Sequence, residues 1–328
     1  MSYTDTNTIR WGIIGCGDVT EVKSGPPYQL TEGFELVAVM RRNAEKAADY
    51  ARRHNVPKHY SNAEELIADK DVDAVYIATP PDSHKEYALM VAAAGKPCCI
   101  EKPLAPSYED SKVIFETFRK KELTLFVAYY RRTLPRFLKV KEWLDTGKIG
   151  EVRHIKWMLS KTPSEVDKSG EHNWRTDASV APGGYFDDLA SHGLDLFAYL
   201  FGNFKEVHGI SLNQQGLYTA KDAMSGTWLH ENGITGTGAW NFGCDRREDL
   251  VEIYGSKGKI SFAVFEDQDV TLVSASGTQS EFIEHPKHVQ QFHVQALKDD
   301  LFHNRTHPST GETATHTSWV MDKILGNL

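Results

Sequence analysis

Residues 9–20, IRWGIIGCGDVT, decide which fold this sequence adopts. A largely apolar run leads directly into Gly15-Cys16-Gly17, and residues suited to a helix follow. Two glycines at this spacing allow a tight turn and a close backbone approach to a pyrophosphate, whose charge a helix N-terminus stabilises. The stretch therefore predicts a strand, a phosphate-binding loop and a helix, with an ordinary tight turn as the alternative reading.

Two features depart from the common dinucleotide-binding pattern. Thr20 stands where a third glycine or alanine is usual, and Gly25-Pro26-Pro27 breaks the helix early. We still predict that the loop contacts the cofactor. The candidate residues are Gly15, Cys16, Gly17, Asp18 and Val19.

Short apolar runs alternate with helix-period segments up to about residue 130, as in βαβ units that form a parallel sheet. The predicted strands are Ile9 to Gly15, Phe34 to Met40, Asp73 to Thr79, Pro97 to Glu101 and Thr124 to Tyr129. The predicted helices are residues 43–54, 63–69, 83–94 and 107–121. We assign residues 1–130 to a doubly wound α/β domain that binds a dinucleotide.

The pattern changes in residues 131–328, which we assign to a second, α+β domain that binds substrate and forms oligomers. A helix is predicted at residues 135–146, and the tail 288–327 reads as two helices. The predicted strands are residues 151–161, 206–212, 226–230, 234–241, 248–254 and 259–265. Turns at Asn232-Gly233 and Ser256-Lys257-Gly258 predict an open, mostly antiparallel sheet. The irregular segment 162–184 is long enough to suggest that it lines a site.

Composition limits the class of protein. A chain of 328 residues exceeds what one core usually supports, which predicts two domains. The net charge of −8 disfavours nucleic acid as a partner, and no apolar run approaches the roughly 20 residues of a membrane helix. Residues 1–10 contain no signal-peptide core, and the four cysteines lack CxxC spacing. We therefore expect reduced thiols and a cytoplasmic location.

Arg41 and Arg42 end the second predicted strand, where an NAD site usually places a carboxylate for the ribose 2′-hydroxyl. There is no acid between Leu36 and Ala44. Guanidinium groups bind phosphate oxygens bidentately, so the pair favours NADP, with NAD as the other possibility. Adjacent arginines at a strand end are also ordinary solvated surface.

Glu101-Lys102-Pro103 closes another predicted strand, at the sheet edge where open α/β sheets bind ligands. A lysine near an oxidised nicotinamide, partly shielded from water, would have its pKa lowered towards the range useful for proton transfer. A solvated ion pair is the simpler interpretation of Glu101 and Lys102 considered alone.

Asp188 and His192 are four residues apart on a helix predicted to begin near Phe186, so they share one face. A carboxylate one turn from an imidazole can orient the ring and raise its basicity. The alternative is a capped helix start with a structural histidine. Trp174 and Arg175 precede this segment and could flank nicotinamide or substrate.

The many histidines near the C-terminal end do not predict a metal site. They are His285, His288, His293, His303, His307 and His316. They lack a tight ligand pair with supporting carboxylates, so we predict no metal and assign them to solvated helix faces.

Five segments occur in an order that resembles one known family. They are Gly15-Cys16-Gly17, Ala78-Thr79-Pro80-Pro81-Asp82-Ser83-His84, Glu101-Lys102-Pro103, Trp174-Arg175, and Gly183-Gly184 with Asp188-x-x-x-His192. Their order resembles the glucose-fructose oxidoreductase, inositol dehydrogenase and MocA (Gfo/Idh/MocA) family over nearly the whole chain. EKP with DxxxH is the more specific part of this match, and Tyr185 stands where the family commonly has a third glycine.

The resemblance implies a Rossmann domain followed by an open antiparallel sheet whose exposed face often makes the oligomer contact. It implies that Lys102 acts at a substrate hydroxyl, that Asp188 and His192 complete the catalytic set, and that Pro103 is often preceded by a cis bond. It also adds Thr79, Pro80, His84, Glu101, Lys102, Trp174 and Arg175 to the expected cofactor-binding residues.

We therefore expect an NADP-favouring oxidoreductase acting on a secondary alcohol or carbonyl of a sugar, polyol or similar cyclic compound. The alternatives are a glycosidase that uses tightly held NAD transiently, and a nucleotide-binding sensor without turnover. A homodimer or homotetramer is expected through the second sheet. Trp228, Ile234 and Trp240 could face outward there or point into the domain's own core.

Overall fold

The computed structural model describes residues 8–328, which form two compact units. The first unit comprises residues 8–105, 109–133 and 286–315, and the second comprises 106–108, 134–285 and 316–328. Residues 1–7, on which the expectation about a signal peptide partly rests, lie outside the described residues. Within residues 8–328, no helix has the length and apolar character needed to cross a membrane.

The first unit contains a six-stranded parallel sheet. Its strands are β1 (Ile9–Ile14), β2 (Phe34–Met40), β3 (Lys58–Tyr60), β4 (Ala74–Ile77), β5 (Cys98–Ile100) and β6 (Leu125–Val127). Their order is β3-β2-β1-β4-β5-β6, the Rossmann order, so the doubly wound prediction is confirmed. The helices along this part of the chain are α1 (Asp18–Val22), α2 (Pro27–Leu30), α3 (Ala44–Arg53), α4 (Ala63–Ala68), α5 (His84–Ala93) and α6 (Tyr108–Lys120).

Side chains of this sheet alternate between two buried clusters, one on each face. Ile14 belongs to the cluster that includes residues of α4, α5 and α6, whereas Ile13 belongs to the cluster on the opposite face. That second cluster also contains Val294 and Leu297 of α10 (Gln291–His303). Part of the C-terminal tail therefore completes the core of the first unit.

This grouping differs from the expected division between residues 130 and 131, because residues 286–315 fold with the first unit. The two predicted tail helices are present as α10 and α11 (Gly311–Leu325). Their helical periodicity was visible in the sequence, but periodicity does not say which core receives the apolar face.

The second unit contains an eight-stranded, mostly antiparallel sheet. Its strands are β7 (Val152–Ser160), β8 (Phe204–Leu212), β9 (Ala223–His230), β10 (Thr235–Asn241), β11 (Glu248–Gly255), β12 (Gly258–Phe262), β13 (Val270–Ser274) and β14 (Gly277–Glu281). Their order is β14-β13-β12-β11-β7-β10-β9-β8, with β7 and β10 parallel. The helices here are α7 (Pro135–Asp145), α8 (Glu165–Ser169) and α9 (Ser191–Phe201). Both predicted hairpins, β9–β10 and β11–β12, are antiparallel.

The outward orientation considered for Trp228 and Trp240 is wrong. Both indoles are buried, with exposed fractions of 4% and 0%, and Trp240 packs edge-on against Trp157 at 5.5 Å. Glycines on β10 make room for them: a Cβ at Gly236 would lie 2.1 Å from the Trp228 ring, and one at Gly238 would lie 2.3 Å from the Trp240 ring. Both tryptophans therefore belong to this unit's own core.

Candidate functional site

The glycine-rich loop leaves β1 at the point where the strand order reverses. Gly15 has a φ of +91°, and a Cβ there would lie 2.6 Å from Thr79 Cγ2 and 2.9 Å from Thr79 N. The amides of Gly15 and Cys16 both donate to the Met40 carbonyl, at 2.9 and 3.1 Å. The loop is thus held against the ends of β2 and β4, where doubly wound sheets bind ligands.

Thr20, which stands at the position of the usual third glycine, is buried and bonded to Gly17. Its hydroxyl accepts a hydrogen bond from the Gly17 amide at 3.0 Å and donates to the Gly17 carbonyl at 2.8 Å. The Tyr50 hydroxyl donates to the Thr20 carbonyl at 2.8 Å. Thr20 therefore closes the first turn of α1, and Tyr50 ties that turn to α3.

Cys16 contributes backbone rather than thiolate chemistry. Its side chain is fully buried, and burial raises the pKa of the thiol to about 11, although the nearby Arg41 guanidinium opposes this. The thiol is therefore protonated near neutral pH.

The two arginines lie where the sequence placed them, directly after β2. The Arg41 amide donates to the Tyr60 carbonyl at 3.2 Å, which fixes the backbone at the end of the strand. The Arg41 side chain is half-buried and Arg42 is exposed. Both positions are compatible with binding a phosphate at this sheet edge.

His84, expected among the cofactor contacts, is fully buried and bonded within the protein. Its Nε2 lies 2.9 Å from the Thr79 carbonyl, and its Nδ1 lies 3.0 Å from the Pro103 carbonyl. Burial lowers the pKa of the ring, so it is neutral near pH 7. The imidazole links the turn after β4 to the turn after β5, and the Ser83 hydroxyl adds a 2.8 Å bond to Thr79 Oγ1.

Glu101, Lys102 and Pro103 follow β5, and the Lys102–Pro103 bond is cis, as the resemblance implied. The Glu101 carboxylate is 7% exposed. Its Oε1 accepts the Tyr76 hydroxyl at 2.5 Å and Gln290 Nε2 at 2.6 Å, and its Oε2 accepts the Lys102 amide at 3.2 Å. Sequence reasoning missed Tyr76 and Gln290, because neither lies near the motif along the chain.

Asp188 and His192 lie in the second unit, on a helix that begins with one turn of π-helix, Phe186–Ala190, and continues as α9. Four residues make close to one turn of either helix type, so the predicted common face is retained. π-Turns are often found at functional sites. His192 is 4% exposed, and its ring lies 5.9 Å from the Phe265 ring.

Trp174, Arg175 and Asp188 form one chain of contacts within the second unit. Arg175 Nε donates to Asp188 Oδ2 at 2.9 Å, and its guanidinium carbon lies 4.3 Å from the centre of the Trp174 ring. The Arg175 guanidinium therefore also stacks on the Trp174 ring. It places a cation against the candidate carboxylate.

Asp187, which the sequence reasoning did not select, is 4% exposed and holds the glycine turn. Its Oδ2 accepts the Gly183 amide at 2.8 Å, and a Cβ at Gly183 would lie 2.4 Å from Asp187 Oδ1. Its place beside Asp188 in the sequence was the only available signal.

Tyr185, which follows Gly183-Gly184 where the family commonly has a third glycine, makes specific contacts with its side chain. Its hydroxyl donates to Asp167 Oδ1 at 2.7 Å, and Lys161 Nζ lies 3.8 Å from the ring centre. Burial raises the pKa of Tyr185 to about 12 and lowers the pKa of Lys161. Segment 162–184 includes α8, and its residues Asp167 and Asn173 line a pocket of about 260 Å³ together with Tyr218.

Two of the late histidines do not lie on solvated helix faces, so that assignment is wrong for them. His293 and His307 are buried in the first unit, with ring centres 4.7 Å apart. His307 Nδ1 lies 2.9 Å from the Ser309 carbonyl, and His293 Nε2 lies 3.6 Å from Cys99 Sγ. Across residues 8–328, no three His, Cys, Asp or Glu side chains are grouped as a metal site would require.

Comparisons with known proteins agree with this architecture. The model of the GFO/IDH/MocA oxidoreductase family, NAD-binding Rossmann fold, matches residues 9–129, and the model of the GFO/IDH/MocA C-terminal domain matches 137–261. Oxidoreductase P35 of Formosa agariphila is 38% identical over 97% of this chain and 98% of its own length.

More distant similarities agree in fold. Levoglucosan dehydrogenase of Pseudarthrobacter phenanthrenivorans is 29% identical over 72% of this chain and 54% of its own length. The 1,5-anhydro-D-fructose reductase of Ensifer adhaerens is 26% identical over 76% of this chain and 74% of its own. A levoglucosan dehydrogenase structure in complex with NADH and levoglucosan has a TM-score of 0.84 at 23% identity, covering 97% of this chain and 96% of that one.

Proposed function

The chain belongs to the Gfo/Idh/MocA family of oxidoreductases, and we propose that it transfers a hydride between NADP and a cyclic sugar or polyol. The reacting group is a secondary alcohol or the corresponding carbonyl. The names of two relatives, levoglucosan dehydrogenase and 1,5-anhydro-D-fructose reductase, support this substrate class.

The observation that carries the cofactor proposal is the fit of the glycine loop. Gly15 packs directly against Thr79, where a Cβ would lie 2.6 Å from Thr79 Cγ2. Beside Gly17, in contrast, the nearest atom to a Cβ would be the Gly15 carbonyl oxygen at 3.8 Å, so the backbone there is open to a ligand. The loop from Gly15 to Val19 would hold the pyrophosphate, with the amides of Asp18 and Val19 as donors because those of Gly15, Cys16 and Gly17 donate within the protein. Arg41 with Arg42 would hold a 2′-phosphate. When bound, the nicotinamide ring supplies the hydride chemistry.

Three side chains are proposed to handle the substrate oxygen and its proton. Lys102 polarises the oxygen, Asp188 orients His192, and either His192 or Lys102 transfers the proton. The contact between Arg175 and Asp188 supports the orienting role, because it fixes one carboxylate oxygen at 2.9 Å.

The test is an activity screen with both nucleotides. The purified protein would be titrated with NADPH and NADH by fluorescence and then assayed against cyclic sugars and polyols for net production of reduced cofactor. Turnover that consumes NADP supports the proposal. Glycoside cleavage with retained NAD and no net redox change would favour the glycosidase alternative, and binding without turnover on any substrate would favour a sensor.

A homo-oligomer through the open face of the second sheet also remains our proposal. Met158 and Leu250 are register partners in the middle of the sheet, half-buried, on the face opposite the inward Trp157 and Val251. Leu250→Lys should dissociate the oligomer in light scattering, whereas Leu138→Lys, at a 41% exposed leucine of α7, should not. A monomeric wild-type protein at micromolar concentration would refute the proposal.

A further inference from the structure

A buried polar cluster lies behind the turn that carries Lys102. At its centre, Glu101 Oε1 receives two donors, the Tyr76 hydroxyl and Gln290 Nε2. Tyr76 is fully buried and Gln290 is 1% exposed. Burial raises the pKa of Tyr76 well above its usual range, so the hydroxyl keeps its proton and remains a donor.

These two donors matter because a buried carboxylate without partners is very unfavourable. With Oε1 satisfied by Tyr76 and Gln290, Oε2 is directed at the Lys102 amide, 3.2 Å away. The backbone at Lys102 is therefore fixed by a carboxylate that is held in place by two side chains far from it along the sequence. Gln290 is 189 residues from Glu101 along the chain.

Gln290 is itself attached to the helix that follows the glycine loop. Its amide donates to the Lys23 carbonyl at 3.2 Å, just after α1. Two residues earlier, His288 Nδ1 lies 2.6 Å from the Val22 carbonyl. One short segment of the tail thus contacts both the end of α1 and the carboxylate beside Lys102.

We propose that Gln290 is a positioning residue, which holds Glu101 and thereby fixes the direction in which Lys102 leaves β5. Because Gln290 is also bonded to the end of α1, it ties the position of Lys102 to that of the cofactor-loop helix. The inference rests on the proposed role of Lys102.

The test compares Gln290→Met with Gln291→Met. The first substitution keeps a side chain of similar length and removes the amide donor, and the second changes the neighbouring glutamine in the first turn of α10. Hydrogen exchange measured by mass spectrometry should rise at least threefold in residues 98–105 of Gln290→Met and stay unchanged in the control. On the substrate identified by the screen, kcat should fall about tenfold, with KM for NADP changed less than threefold.

Gln290→Asn provides a second variant, whose amide is one methylene too short to reach Glu101, and it should give the same two effects if Gln290→Met does not fold. Wild-type exchange in residues 98–105 of a folded variant would overturn the proposal. A fall in kcat matched by an equal rise in the KM for NADP would also overturn it, because that points to general distortion. Failure of the proposed function would appear differently, as normal turnover in Lys102→Ala. The hydrogen-exchange result for Gln290→Met does not depend on the role of Lys102 in catalysis.

Discussion

Glu101 precedes Lys102 directly and Asp188 lies four residues before His192, and these two carboxylates are held by different kinds of contact. Glu101 is 7% exposed and receives neutral donors from Tyr76 and Gln290. Asp188 is paired with Arg175, whose side chain is 42% exposed, while that of Asp188 is 19% exposed. The first arrangement depends on residues brought together by the fold, and the second on residues 13 positions apart.

These two kinds of contact predict different responses when a partner is removed. Buried hydrogen bonds to a charged group are costly to break, because the remaining partner stays desolvated. A partly exposed ion pair is weakened by solvent and salt, and usually contributes little. The Lys102 turn should therefore respond to loss of buried partners and the Asp188 turn only mildly to loss of its arginine.

The largest expected effect tests whether Lys102 and His192 act in the same reaction. Lys102→Ala and His192→Ala should each lower kcat by about 10²–10⁴-fold, because each removes a group that acts on a proton in the transition state. Nucleotide affinity, measured by fluorescence, should change little. Lys120→Ala at the end of α6 is the control. Near-normal turnover in Lys102→Ala would leave only the second turn with a chemical role.

The choice between NADP and NAD should depend on residues of the first unit only. Replacing both Arg41 and Arg42 by alanine should weaken NADP binding by about 30–100-fold, since two charge-assisted contacts to a phosphate are lost. NAD binding should stay within threefold, and Arg52→Ala on α3 should affect neither nucleotide. Calorimetric titration measures all three. An equal loss for NAD and NADP would show that the arginines do not discriminate the 2′-phosphate.

Acid should affect the first unit through its buried neutral histidines. Burial lowers the pKa of His307 to about 4 and holds the pKa of His293 well below its usual range. The unfolded chain binds protons near pH 6.5, so stability is present above that pH and is lost as pH falls towards 4. His307 alone accounts for about 2 kcal/mol of this loss at pH 5.

Urea unfolding at pH 7.5 and pH 5 measures this loss. His307→Gln should be less stable at pH 7.5 but should lose less between the two pH values. His208→Gln, at an exposed position of β8, should keep the wild-type pH dependence. If His307→Gln shows the same pH dependence as the wild type, His307 does not contribute to the acid sensitivity.

The smallest effects concern the Asp188 turn. Asp188→Asn should lower kcat about tenfold, less than His192→Ala, because an amide can still orient the imidazole. Arg175→Lys should lower it about threefold, since lysine lacks the planar group that stacks on Trp174. Steady-state kinetics on the identified substrate decide. A loss in Asp188→Asn equal to that in His192→Ala would mean that Asp188 takes part in proton transfer itself.

Local patterns in the sequence were sufficient for much of the fold. β2 has the predicted bounds, and α3 lies within one residue of its predicted ends. Two strands were not predicted because they lack an alternating apolar pattern of useful length. β3 has only three residues, and all five residues of β14 are exposed. The parallel pairing of β7 with β10 is a long-range contact that turn residues do not reveal.

The candidate site divides in the same way. The glycine loop, EKP, the Trp-Arg pair and the Asp/His spacing are local motifs and could be found by inspection. The supports of Glu101 could not, because Tyr76 and Gln290 reach it only through the strand order and the returning tail. The burial of His293 and His307 likewise depends on which core receives α10.

The return of α10 to the first unit has a consequence for how the protein is made. During translation, Trp11, Tyr28 and Phe126 emerge early, but their cluster lacks Val294 and Leu297 until the whole of residues 134–285 has been synthesised. At roughly 5–20 residues per second, that interval lasts roughly 8–30 s. The nascent first unit therefore leaves exposed throughout this interval the part of the sheet face that α10 later covers, and during that time the chain needs protection from aggregation on the ribosome.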